Sequence, residues 1–114
     1  MTRQGAEIFI ESWRRHYMGG PNQEFVTSAA VELRGLKGVV VAALDTDGTD
    51  GPTPYAGAIA DGYTAELAKE KGINLNDALR RHNVSPALDA IGALIMTGDT
   101  GTNVNDVSVL LISD

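Results

Sequence analysis

Gly38-Val39-Val40-Val41-Ala42-Ala43-Leu44-Asp45-Thr46-Asp47-Gly48-Thr49-Asp50-Gly51-Pro52-Thr53 changes character halfway along. The first half is a continuous apolar run rich in β-branched residues, which predicts a strand buried on both faces. The second half holds three aspartates, two glycines and a proline. That composition forbids a strand or helix and predicts a tight polar loop at the strand's carboxyl end. In open α/β sheets that edge is where ligands bind. Asp45, Asp47 and Asp50 offer carboxylates to a divalent cation; Thr46, Thr49 and Thr53 add hydroxyls. Backbone N–H groups beside Gly48 and Gly51 suit an anion. The plain alternative is a solvated connection.

Working outward, Asn22 is placed to cap a helix from Gln23 to about Arg34. Phe25, Val26, Ala29, Ala30 and Leu33 supply its apolar stripe and Gly35 its stop. A helix feeding a central strand through a short connector is half of an α/β unit. Ahead of it, Ile8 or Phe9, Ser12-Trp13 and His16-Tyr17 give a partial helical stripe over residues 1–18. Arg14, Arg15 and His16 read as a solvated helix end. Downstream, Tyr55–Ala60 is small and apolar, as a helical turn packed close on the sheet would be. Thr64–Lys71 predicts a helix closed by Gly72, and Asn74 or Asn76 caps another over Asp77–Arg81. Pro86 opens a short helix through Ile91. Ala93-Leu94-Ile95-Met96 is a second apolar run, and Val107–Ile112 is a final strand.

The second run also empties into a polar loop, Thr97-Gly98-Asp99-Thr100-Gly101-Thr102-Asn103-Val104-Asn105-Asp106. If both strands lie in one sheet with aligned carboxyl ends, the two loops meet. Their hydroxyls and glycine amides could then wrap phosphate oxygens, while Asp45, Asp47, Asp50, Asp99 or Asp106 hold Mg²⁺. Turn formation by Asn103 and Asn105, and helix capping by Asp61, explain those residues equally well. Generic motifs fail. A calcium hand counted from Asp45 would need glycine at Asp50 and glutamate at Ala56, and no lysine follows Gly101 as a Walker loop requires.

Composition bounds the rest. The chain has 114 residues, 43% of them hydrophobic and 21% charged, which suits one soluble globular domain. Without cysteine, disulfides and thiolate chemistry are excluded, as fits a reducing cytoplasm. A net charge of −6 argues against nucleic acid, and no apolar stretch approaches a membrane span.

The two loops, with Ala56-Gly57-Ala58 and Asp61-Gly62 between them, resemble the MOFRL domain, the carboxyl-terminal part of glycerate 2-kinases, some of which are labelled hydroxypyruvate reductases. The resemblance runs from about Gly19 to Ile112, so residues 1–18 stand apart as an unmatched segment and 19–114 as the MOFRL-like domain. It implies an α/β fold, a mixed sheet flanked by helices, facing a larger amino-terminal kinase domain. It also implies ATP and Mg²⁺ as cofactors, with phosphoryl transfer to the 2-hydroxyl of glycerate. Carried onto this chain, it places substrate or nucleotide on Asn22, Glu24, Thr46, Gly48, Thr49, Gly51, Thr53, Thr100, Gly101, Thr102 and Asn103. It places metal on Asp45, Asp47, Asp50 and Asp106, and assigns no catalytic residue. Two departures stand out. Residues 1–18 lack the family's Gly-Gly-Glu-Thr segment, and Pro21 replaces the arginine of its Gly-Gly-Arg-Asn-Gln-Glu motif. These suggest a truncated or disrupted reading frame. The chain alone is therefore expected to be inactive, needing a separate amino-terminal domain. The competing expectations are a non-catalytic module for a phosphorylated small molecule and Mg²⁺, and a structural remnant that forms a homo-oligomer. Reductase activity is the lesser enzyme reading, since nothing here reads a nicotinamide dinucleotide.

Overall fold

The computed structural model describes residues 18–113. The helix expected over the segment before them, with Arg14, Arg15 and His16, lies outside the described residues. Four strands form one sheet in the order β3-β2-β1-β4, with β1 Val39–Asp45, β2 Gly57–Asp61, β3 Leu94–Ile95 and β4 Asp106–Ile112. Each neighbouring pair is antiparallel. The expected sheet with helices packed on it is present; where a mixed sheet was expected, every pairing among the described residues is antiparallel, and β1 and β3 run in the same direction because β2 lies between them.

Helix α1 (Pro21–Glu32) lies on β1 and β2, and α2 (Thr64–Glu70), α3 (Leu75–Arg80) and α4 (Val84–Ala90) surround it. The core is small-residue packing. Val26 and Ala30 of α1 meet Val41, Ala43, Ala58 and Ala60, with Leu75, Val84 and Leu88 closing the far side. Burying each Val or Leu side chain contributes roughly 1.5–3 kcal/mol. Phe25, expected in the stripe, is instead exposed. The strand β1 buries Val39, Val41 and Ala43 and leaves Val40, Ala42 and Leu44 half-buried. Helices thus cover one face of the sheet, so the apolar run is not buried on both.

The stretch expected as a helical turn, Tyr55–Ala60, is mostly strand β2. Its small residues permit close approach all the same, but from within the sheet. A Cβ on Gly57 would overlap the Ala43 carbonyl oxygen, and Ala58 and Ala60 leave room for α1 above. Asn74 does cap α3, its side-chain oxygen accepting from Asp77 N–H at 3.0 Å. Asp61 makes a local turn ahead of α2, accepting from Tyr63 N–H at 2.8 Å.

Candidate functional site

The two polar loops meet at one end of the sheet and are stitched together. Thr46 N–H donates to the Asn105 carbonyl at 3.0 Å, and its hydroxyl donates to the same oxygen at 2.9 Å. That hydroxyl also accepts from Val104 N–H at 2.8 Å, while the Thr100 hydroxyl donates to the Thr46 carbonyl. Gly48, in the left-handed region at φ +94°, lies so close to Gly98 that a Cβ would overlap the Gly98 carbonyl oxygen. Glycine is required there on both counts. Thr46 and Thr100 therefore act first as the seam between the loops.

The aspartates divide into two kinds. Asp50 is 1% exposed. One of its oxygens accepts from Asn22 N–H (3.0 Å) and from the Asn22 side-chain amide (3.1 Å); the other accepts from Gln23 N–H at 2.8 Å. The N-cap residue of α1 is Gly20, which has no side chain to cap with. Asp50 supplies the cap from the loop instead, satisfying amides that would otherwise be orphaned and placing negative charge on the helix's positive end. A Cβ on Gly20 would collide with Asp50. Asn22, expected as the cap, is a buried bridge: its side-chain amide donates to Asp106 at 2.9 Å as well as to Asp50.

Asp45, Asp47 and Asp106 form the open group. Asp45 and Asp106 are direct cross-strand partners at the end of β1 and β4, an arrangement in which like charges repel. The Asp47 N–H bonded to Asp45 pulls its carboxyl down in pKa. Desolvation, the shared hydrogen bond with the Asp47 side chain, and the charges of Asp47 and Asp106 outweigh that pull, and Asp45 sits above the usual carboxylate value. Asp47 is lowered by the Thr49 N–H and hydroxyl that donate to it at 2.8 and 2.9 Å. Among the described residues no three His, Cys, Asp or Glu side chains converge as a metal site.

Other residues singled out in the sequence are dispersed. Thr53 is buried, accepting from the Gln23 side chain at 3.0 Å and donating to the Asp50 carbonyl at 2.8 Å. Glu24 pairs with His82 at 2.7 Å, and Gly51 packs against Gly19 and Gly20. Gly101, Thr102 and Asn103 are exposed on the second loop. Gly101 N–H is bonded to Asp99 at 2.9 Å and Asn103 to Asn105 N–H at 3.0 Å, the turn role foreseen for Asn103. Sequence reasoning missed Gln23 and Ser85, which form a buried trio with Thr53 in which the Ser85 hydroxyl donates to the Gln23 side-chain oxygen. It also missed the capping role of Asp50, for which the signal was Gly20-Pro21, a helix start without a capping side chain that demands a remote acceptor.

The MOFRL family signature matches residues 4–106, beginning inside the segment that the sequence reading set apart. The glycerate 2-kinase of Pyrococcus horikoshii is 47% identical over 109 residues, 96% of this chain and 24% of that protein. The D-glycerate 2-kinase of Thermotoga maritima is 48% identical over 95 residues, 83% of this chain and 23% of its own. A protein of Agrobacterium vitis named as a hydroxypyruvate reductase is 43% identical over 94 residues, 82% of this chain and 22% of its own. The crystal structure of the Thermotoga maritima glycerate kinase superposes with a TM-score of 0.82 at 48% identity, over 84% of this chain and 23% of that one. The chain thus spans about a quarter of the length of the curated relatives it matches. No helix among the described residues is long and apolar enough to cross a membrane.

Proposed function

Because the chain belongs to the MOFRL family, we propose that it forms one wall of a glycerate 2-kinase active site, working with an amino-terminal domain that transfers the ATP γ-phosphoryl group to glycerate. The observation that carries this reading is the seam at the end of the sheet. Asp45 and Asp106 are held face to face there, Asp47 is beside them, and glycine- and threonine-rich backbone closes over the same edge. Repelling carboxylates kept adjacent cost stability, and a cation bridging to phosphate would relieve that cost.

A Mg²⁺–nucleotide does not require three protein carboxylates. Magnesium keeps several waters and uses one or two side chains together with substrate phosphates. Asp45, Asp47 and Asp106 are suited to that partial role, whereas Asp50 is committed to α1. When bound, Mg²⁺ would supply neutralisation of the charge developing on the transferred group. The exposed Thr102 hydroxyl and Gly98 N–H of the second loop can donate to phosphate oxygens, whereas the Thr100 hydroxyl and Gly101 N–H already donate to the Thr46 carbonyl and Asp99. Neither loop contains a basic side chain. Cationic stabilisation must come from elsewhere, and Pro21, at the first turn of α1, offers none.

A domain exchange tests the proposal. Residues 18–113 replace the matched segment of the Thermotoga maritima D-glycerate 2-kinase, and ATP-dependent phosphorylation of glycerate is followed. The chimera should fold, run slowly, and gain at least tenfold on Pro21→Arg. Asp47→Asn in that background should remove most of the gain. A folded chimera indifferent to both changes would sink the reading.

A further inference from the structure

Asp45 stands on the helix side of the sheet. Val41 and Ala43 of β1 pack under α1, and residues alternate between faces along a strand, so Asp45 continues the row that faces α1. Asp106, its cross-strand partner, shares that face. Asp45 N–H donates to the Ala56 carbonyl on the β2 side, whereas Thr46 N–H donates to the Asn105 carbonyl. Asp45 and Asp106 are therefore a non-hydrogen-bonded pair, the closer kind, with Cα atoms about 4.5 Å apart. The first turn of α1 adjoins this end of the two strands, and from it Asn22 reaches Asp106.

Two carboxylates this close repel, and with free rotamers they would turn apart into water. Each member of the open group is instead held by one oxygen. Asp45 accepts from Asp47 N–H at 3.3 Å and Asp47 from Thr49 N–H at 2.8 Å, both bonds within one loop. Asp106 is held from 84 residues away, by the Asn22 side-chain amide at 2.9 Å. Asn22 is 6% exposed and its amide also donates to Asp50, so that donor has no water to turn to. The other Asp106 oxygen accepts from none of the described residues. The residue type fits the task. A primary amide carries two N–H donors and no charge, so it fixes a carboxylate without neutralising it. A lysine or arginine in its place would compete with a cation for the same charge.

We propose that Asn22 is a positioning residue for a divalent cation at this edge. It fixes Asp106 by one oxygen and leaves the second for the ion, in a set relation to Asp45. The inference rests on the reading that Mg²⁺ binds here. Mg²⁺ demands near-ideal octahedral geometry and takes only one or two carboxylates, so each of them must be oriented before the ion arrives. Groups that orient a ligand without touching the metal typically contribute about 10–100-fold in affinity. The start of α1 and the acidic edge then act as one unit, although nothing in the spacing of Asn22 and Asp106 along the chain announces it.

Mg²⁺ is titrated into the whole chain and followed by NMR through the backbone amides of Asp47 and Gly48 and the side-chain amide of Asn22. In the unaltered chain all three should move with one midpoint, since the Asn22 amide senses the cation through Asp106. Asn22→Ala and Asn22→Leu keep the backbone N–H on Asp50 but have no side-chain donor. Each should bind Mg²⁺ about tenfold more weakly, with unchanged far-ultraviolet dichroism. Ser85→Ala loosens the same turn through Gln23 without reaching Asp106, and should stay within about twofold of the unaltered chain. Still Asn22 side-chain resonances, in a chain whose Gly48 amide responds, would overturn the inference and leave the Mg²⁺ reading intact. So would Asn22 variants that bind as the unaltered chain does, or a loss in Ser85→Ala equal to theirs, which would reduce the effect to general looseness of the turn. Asp47 and Gly48 amides unmoved at about 50 mM Mg²⁺ would overturn the Mg²⁺ reading, and the inference with it.

Discussion

Replacing Asp50 by alanine removes the acceptor for Asn22 N–H and Gln23 N–H at the start of α1, together with one of the two partners of the Asn22 side chain. Asn22 and Gln23 are themselves buried, so water does not take the carboxylate's place. Each buried donor left without a partner costs ~1–3 kcal/mol, and loss of the charge at the helix's positive end adds up to ~2 kcal/mol. The total is about 3–5 kcal/mol, a large share of the ~5–15 kcal/mol that holds a domain folded. At ~4–8 °C per kcal/mol the midpoint should fall by on the order of 15–30 °C. Asn in the same place keeps one acceptor and turns an amide donor toward a donor, so it should fall between. Thermal and urea unfolding followed by far-ultraviolet dichroism measures both variants. The deficit should be the same with EDTA as with Mg²⁺, since the carboxylate is spent on the helix. An alanine variant less than ~1 kcal/mol weaker than the parent would refute the capping account, because losses of that size are ordinary for exposed polar groups.

Three more outcomes follow from other parts of the structure. Leu88→Ala, at a fully buried position under α1, should cost ~2–5 kcal/mol in urea unfolding. Thr46→Val should loosen the seam by about 1 kcal/mol and speed exchange of the Val104 amide ~5–10-fold, while the core amides stay unaffected. Asp45→Asn removes a charge that faces Asp106 and adjoins Asp47, and should raise the urea midpoint at neutral pH. The raised Asp45 pKa means that its ionised form is penalised in the fold, so the parent recovers as pH falls through that value. The difference between the two should thus shrink with acidification and vanish below the ordinary carboxylate value of 3.8. The opposite trend is set by Asp47, whose pKa is lowered chiefly by the Thr49 N–H and hydroxyl that both proteins keep, and which adds stability that is lost on deeper acidification.

The sequence exposed those features whose cause is local. The Val39–Leu44 run, the glycine stops after α1 and α2, and the Asn74 cap each depend on residues within a few positions, and each is found where expected. The meeting of the two loops was also legible, since two strands that end in the same chemistry and run the same way must deliver it to the same edge. What escaped was set by distance. Asp45 and Asp50 look alike on paper, yet one faces a carboxylate across two strands and the other is buried under a helix whose start lies 28 residues earlier. Gly57-Ala58-Ile59-Ala60 has the composition of a close helical contact. Only the presence of β1 on one side and Ile95 on the other makes it a strand. Small residues report that something approaches closely, and leave open which partner moves in.

The remote cap on α1 also has a consequence in time. The helix emerges first during synthesis, but the carboxylate that completes its first turn follows 28 residues behind, a delay of about 1–6 s at ~5–20 residues per second. A twelve-residue helix is marginal in water on its own. α1 therefore waits, largely unwound, until β1 and its loop exist to receive it. Its coil-to-helix step is tied to a long-range closure rather than to its own sequence, and the order of assembly runs opposite to the order of translation.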